Sequence, residues 1–183
     1  VDDFKPRPRE DALRDLVAEA AADPPNPGNG NERLPDEGNA ERLAAFFADD
    51  RPTVLYFGKL LLNKGIHGLL EATRDLDARL LVVGFGDYRD HVEARIAEPE
   101  AGAGSVLISG RLEHPEVAVV CPAAEALVMP SIFPEAFGMV AVEGAACGAL
   151  PVSADHSGMR EVSQQLAEAV EPGIARLLSF PVE

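Results

Sequence analysis

Five short apolar runs recur between residues 52 and 154, and each is continuous rather than alternating: PTVLYF (52–57), RLLVVG (79–84), SVLIS (105–109), EALVMP (125–130) and LPVSA (150–154). LLSFPV (177–182) reads as a sixth. A strand that is apolar on both sides must be covered on both sides, which is the pattern of a buried parallel sheet. Parallel neighbours also need a crossover of about a dozen residues or more. The intervening stretches meet that need and carry helical periodicity, as in NKGIHGLLEATRDL (63–76) and GDYRDHVEARIAE (86–98). The expected fold is therefore α/β, a Rossmann-like doubly wound parallel sheet of about six strands with helices on both faces.

Residues 51–183 make up that Rossmann-like domain, and residues 1–50 read as a helical lead-in. EDALRDLVAEAAAD (10–23) and NAERLAAFFADD (39–50) are its expected helices, with Asn39 as N-cap. The Pro-, Gly- and Asn-rich stretch between them (24–39) is expected to be a mobile loop. A chain of 183 residues suits one domain with such an appendage, and one that begins at Val1 reads as part of something longer. A formal net charge of −15 argues against a nucleic-acid partner held on a broad basic face, but leaves room for a single nucleotide. No window reaches 18 uninterrupted apolar residues, so no membrane span is expected. Cys121 and Cys147 lie in apolar helical runs and are expected as buried free thiols, which together with the lack of a signal peptide suggests a cytoplasmic protein. His67, His91, His114 and His156 show no ligand spacing, and no metal site is expected.

Right-handed crossovers open the carboxyl ends of all parallel strands on one edge of the sheet, where ligands bind. The segments that follow the five runs are GKLLLNKG, FGD, GRL, SIFPEAFGM and DHSGMRE, so glycines and charges gather there repeatedly. Lys59 and Lys64, in the loop opened by Gly58, are two of only three lysines, against thirteen arginines. Lys64 is expected in the first turn of the next helix, where the dipole disfavours a cation unless an anion joins it. Two ammonium groups so placed suit a diphosphate; the alternative is a pair of solvated loop lysines.

In FPEAFGMV, Pro134 suits a helix start and Gly138 a close backbone approach, and the amides from Phe137 through Met139 to Val140 would face the edge as an anion site. Glu135 is either stabilised by the helix dipole or reaches a neutral hydroxylated group. Glu143 is the only charged residue between Glu135 and Asp155. A lone carboxylate in so apolar a run is costly without a partner, and its expected partner is a ribose diol rather than protein; the alternative is a surface turn. Gly84 and Gly86 form a Gly-x-Gly, but Asp87 and Tyr88 follow where the fuller dinucleotide fingerprint continues, which argues against a nicotinamide enzyme. Arg111 could pair with a carboxylate, stack on a base or stay on the surface. Gly158 and Glu161 also sit on the edge.

EAFGMVAVE (135–143) resembles the E-x7-E signature of retaining glycosyltransferases with the GT-B fold, the group around glycogen synthase, sucrose synthase and the bacterial mannosyltransferases. The resemblance covers most of residues 51–162 and extends to VDDFKP at the start, which in that family marks the crossing into the C-terminal, donor-binding domain. It implies one half of a GT-B fold that binds a UDP-, GDP- or ADP-sugar as substrate, without a metal or other cofactor. Lys59, standing where the family usually has Arg, and Lys64 would neutralise the diphosphate, and Glu135 would contact the transferred sugar. Phe137, Gly138, Met139 and Val140 would hold sugar and phosphate, and Glu143 the ribose. Arg111 and Leu112 would line the base pocket, while Gly58, Gly84 and Gly86 let the nucleotide lie close. The partner is then the chain's own N-terminal domain, and this piece is expected to bind donor without transferring it. The other readings are a stand-alone nucleotide-sugar-binding module and half of a nucleotide-sugar epimerase, although no acid/base constellation of its own is found for the latter.

Overall fold

A computed structural model describes residues 3–24, 34–98 and 106–182. The apolar runs form β1 (Thr53–Phe57), β2 (Arg79–Val83), β3 (Val106–Gly110), β4 (Ala126–Met129), β5 (Leu150–Ala154) and a two-residue β6 (Ser179–Phe180). All pair in parallel, in the order β3-β2-β1-β4-β5-β6. This is a doubly wound sheet whose strand order reverses between β1 and β4, the point at which such folds open a crevice.

The helices are α1 (Arg9–Ala21), α2 (Asn39–Phe46), α3 (Ile66–Thr73), α4 (Arg89–Ile96), α5 (His114–Val120), α6 (Met139–Cys147), α7 (Ser157–Glu168) and α8 (Pro172–Ala175). Successive strand residues point to opposite faces. Leu55, Leu81, Val83 and Leu127 therefore pack with Leu16, Leu43, Val117 and Cys147 on one side. Tyr56, Leu80, Val82 and Ile108 pack with Ile66, Leu69 and Val92 on the other. Cys121 and Cys147 are buried free thiols.

Three expectations need correction. Leu16, Ala20, Leu43 and Phe46 belong to the same core as β1 and β2, so the first fifty residues are not set apart from the sheet. Asn39 is not a cap: Gly38, at φ 72°, holds that place, and Asn39 is buried one position inside α2. Its side-chain amide donates to the Ser109 carbonyl at 2.8 Å, because the free edge of β3 needs donors more than the helix needs a cap. The same edge is covered by Arg42, which donates to the Ile108 carbonyl, and by a bridge from Pro35 to Gly110. Asp36 sits beside them and takes both ends of the Arg89 guanidinium at 2.7 Å. Of the stretch read as a mobile loop, residues 25–33 lie outside the described residues, as do Val1 and Asp2 of VDDFKP and Ser105 of the third run. Finally, Lys64 is not in α3. It ends a separate 3-10 turn, Leu62–Lys64, because Gly65 breaks the chain at φ 70°, and a Cβ there would stand 1.9 Å from the Pro130 carbonyl oxygen.

Candidate functional site

The loops at the carboxyl edge are sewn together by backbone. Gly58 N–H donates to Val83 O (3.0 Å), Leu60 N–H to Phe85 O (2.7 Å) and Gly84 N–H to Gly110 O (2.8 Å). Gly84 and Gly86 permit this: a Cβ on Gly84 would stand 1.8 Å from the Gly58 carbonyl oxygen, and one on Gly86 2.3 Å from that of Leu60. What these glycines admit in the structure is the β1 loop. Gly84→Ala should consequently lower stability by more than ~2 kcal/mol, since backbone cannot give way as a flexible side chain can. Gly68→Ala, on open space in α3, should cost nothing or stabilise by ~0.5–1 kcal/mol. Comparing the two in denaturant unfolding checks the claim, and equal midpoints would refute it.

Two adjoining cavities open on this edge. The first, about 500 Å³, lies at the strand-order reversal between β1 and β4; Lys59, Lys64, Glu135, Phe137, Met139 and Val140 are among its walls. The second, about 510 Å³, is bounded by Gly58, Lys59, Gly84, Phe85, Arg111 and Leu112. Lys59 lies on both. Its side chain is exposed and makes no ion pair with any described residue. Arg111 reaches Glu113 at 2.9 Å and lies over the Phe85 ring at 5.9 Å, so it is already paired and stacked.

Lys64 does not wait for an anion; it has one. Its ammonium pairs with the Glu135 carboxylate, which also accepts from Ser131 Oγ at 2.8 Å. Burial opposes the charge on Glu135, but the bonds from Lys64 and Ser131, with the field of Lys64 and His156, hold its carboxyl below the ordinary range. Its folded pKa is thus the lower one, so the pair contributes stability at neutral pH that disappears as acid protonates Glu135. Burial, with the Glu135 charge next, pushes the Tyr56 phenol up; it stays neutral and donates to the Lys59 carbonyl at 2.7 Å.

Pro134 does not start the helix. Residues 134–138 run as irregular chain and α6 begins at Met139, with Gly138 as its cap. The reason lies in α7. Gly158 N–H donates to Glu135 O at 3.0 Å, and Gly158 comes so close that a Cβ would stand 2.3 Å from the Ala136 carbonyl oxygen. The first helical bonds in α6 come from Ala141 and Val142 to Gly138 O, and no described residue accepts from the Met139 and Val140 amides. These two residues border the first cavity.

Glu143 departs furthest from expectation. It is buried, at 7% exposure, in the middle of α6 and borders neither cavity. The bond with Cys147 and burial push the Cys121 thiol up, and the Glu143 charge adds to them. Glu143 also has a partner within the protein. The reading that its partner is not protein is corrected accordingly.

Asn63, Ser131, His156 and Ser157 were not singled out as site residues. Each carries one part of the loop that holds Glu135, and only the Ser-Gly pair opening α7 hinted at it. Among the described residues no group of three or more His, Cys, Asp or Glu could hold a metal, and no helix is long and apolar enough to cross a membrane.

Comparison with known proteins agrees with the geometry. The family model described as glycosyl transferases group 1 matches residues 39–173. A glycosyltransferase of Methanocaldococcus jannaschii is 30% identical over 118 residues, covering 62% of this chain and 30% of that protein. Glycogen synthase of Mycobacterium tuberculosis is 30% identical over 125 residues, covering 63% of this chain and 30% of the synthase. The chain thus spans about a third of the length of the curated relatives it matches. Among solved structures, Anabaena HepE in complex with UDP and glucose superimposes with a TM-score of 0.65 at 21% identity, over 99% of this chain and 40% of HepE. That likeness extends to the fold. With its six-stranded doubly wound sheet and the family match over residues 39–173, the chain belongs to the group 1 glycosyl transferases and forms one half of a GT-B fold.

Proposed function

We propose that this chain is the donor half of a retaining glycosyltransferase and binds a nucleotide-diphosphate sugar across its two cavities. The observation that carries the reading is the convergence of Lys59, Lys64 and the Met139 and Val140 amides on one cavity at the strand-order reversal. Charge there would be stabilised where a leaving diphosphate develops it. Arg111, Leu112 and the Phe85 ring make the second cavity suited to a base. HepE was solved with UDP and glucose, which supports a nucleoside diphosphate as the ligand class.

In this reading Lys59 and Lys64 neutralise the leaving nucleotide in place of a divalent ion. Glu135, still paired with Lys64 on the wall of the first cavity, faces hydroxyls of the transferred sugar. The transferred group is a hexose. Transfer needs an acceptor half of the kind the longer relatives have room for, so this chain binds donor and does not turn it over. Two buried thiols suit a reducing, cytoplasmic setting.

Calorimetric titration with UDP, GDP and ADP, with and without EDTA, tests the proposal. Binding of one of them with EDTA making no difference is expected, and the preferred base would identify the donor class. Silence from all three by a folded chain would reject the reading.

A further inference from the structure

The loop that carries Glu135 is held by two residues that do not border the cavity, His156 and Ser157. Ser157 is the only described non-glycine residue with a positive φ, at 50°. Side chains with a Cβ are disfavoured there, and glycine would fit without strain. What serine adds over glycine is its hydroxyl, and the hydroxyl is used: Oγ accepts the Glu135 N–H at 2.9 Å. The next residue, Gly158, donates to the Glu135 carbonyl at 3.0 Å. Both backbone polar groups of Glu135 are therefore held by the first turn of α7.

His156 closes the ring of bonds. Its Nε2 lies 2.7 Å from the Ser131 carbonyl oxygen, which can only accept, so Nε2 carries the proton. In the neutral ring Nδ1 is then bare and accepts from Ser157 Oγ–H at 3.0 Å. Ser131 in turn donates from Oγ to the Glu135 carboxylate, and Ile132 N–H donates to Asn63 O at 3.0 Å, in the turn that bears Lys64. A continuous set of directed bonds thus runs from α7 through the β4 loop to the Lys64–Glu135 pair.

We propose that His156, as its Nε2–H tautomer, and Ser157 are a positioning pair for the nucleotide site: they hold residues 131–135 so that Glu135 keeps the Lys64 ammonium aimed at the cavity. This rests on the nucleotide-diphosphate reading above. The strain at Ser157 persists because the hydroxyl places the loop, as strained residues at functional sites commonly do. Neither residue touches the ligand, and each acts through Glu135 and Ser131.

The test separates placement from folding. UDP, GDP and ADP are titrated into the wild-type chain and into Ser157→Gly, His156→Gln and His156→Ala, with thermal unfolding measured in parallel. Ser157→Gly is expected to match or exceed the wild-type melting temperature, because strain is relieved. It is also expected to lose about tenfold in affinity for the preferred nucleotide, the scale of one contact misplaced. His156→Gln, which keeps a donor toward the Ser131 carbonyl, should lose less affinity than His156→Ala. Histidine nitrogen chemical shifts in mildly alkaline buffer should report a protonated Nε2 and a bare Nδ1 for His156 in the wild type. Wild-type affinity in Ser157→Gly, or the Nδ1–H tautomer, would overturn the proposal while leaving the nucleotide reading intact. Silence from the wild-type chain would instead remove the nucleotide reading, and the positioning role with it.

Discussion

Lys64→Ala weakens binding of the preferred nucleoside diphosphate by roughly thirtyfold, about 2 kcal/mol, the low end for truncating one member of a hydrogen-bonded charge pair. The effect has two parts. A charge that meets the diphosphate is lost, and Glu135 remains as an uncompensated carboxylate in the same cavity. At 29% and 25% side-chain exposure the pair is half-sheltered, so screening by water reduces the second part without removing it. The double variant Lys64→Ala, Glu135→Gln should recover part of the loss, since the repelling charge is gone. Lys59→Ala, which removes an exposed ammonium that pairs with no described residue, should cost less than Lys64→Ala. Titration of the three variants against wild type decides the matter. If Lys64→Ala binds like wild type, Lys64 is a partner of Glu135 and nothing more.

A second large effect is expected far from the site. Arg79 is fully buried at the start of β2, where its guanidinium donates to the carbonyls of Phe46 (2.6 Å), Asp49 (3.0 Å) and Arg51 (2.6 Å) and to Thr53 Oγ1 (3.2 Å). The rings of Phe46 and Phe47 flank it at 5.3 and 5.2 Å. Burial pushes its pKa down, but an arginine stays charged, with Asp49 3.2 Å away. This one side chain ties the end of α2 to the chain entering β1. Arg79→Met keeps much of the volume but strips those acceptors of their donor, leaving several of them buried and unsatisfied. A loss of ~3–5 kcal/mol in denaturant unfolding is expected. Arg79→Lys should recover little, because a single ammonium cannot span acceptors on both sides of a planar fork. Nucleotide affinity of the folded fraction should not change, since Arg79 lies at the opposite edge of the sheet from the cavities. A loss below ~1 kcal/mol for Arg79→Met would show that the loop is held by the core alone.

Arg79 also shows where sequence reading stops. Opening an apolar run, it looks like a surface residue, and nothing within several positions of it supplies a reason for burial. Its partners are 26 to 33 residues away. By contrast, the first five strands came within one residue of their observed ends and β6 within two, because continuous apolar runs and the helices between them leave few other ways to bury both faces. The carboxyl-edge loops were legible for the same reason: once all strands run parallel, the residues after each must share one edge. That logic brought the loops of Gly58, Lys59, Lys64, Gly84, Arg111, Leu112, Glu135, Phe137, Met139 and Val140 to one edge; that these residues wall two adjoining cavities there comes from the structure. The same logic could not show what meets Glu143 in the interior, because helical spacing alone does not say what covers a side chain.

What the amino-acid order determined by itself was the doubly wound sheet and the edge on which the loops meet, since both follow from local periodicity and the chirality of crossovers. What only the tertiary structure decided was which charges find one another there. Lys64 and Glu135 are 71 residues apart and meet because β4 pairs with β1, while α7, docked against the loop that follows β4, supplies the bonds that hold Glu135 in place. Side-chain contacts reach only a few ångströms, so a pairing of that kind exists once the sheet has assembled and not before.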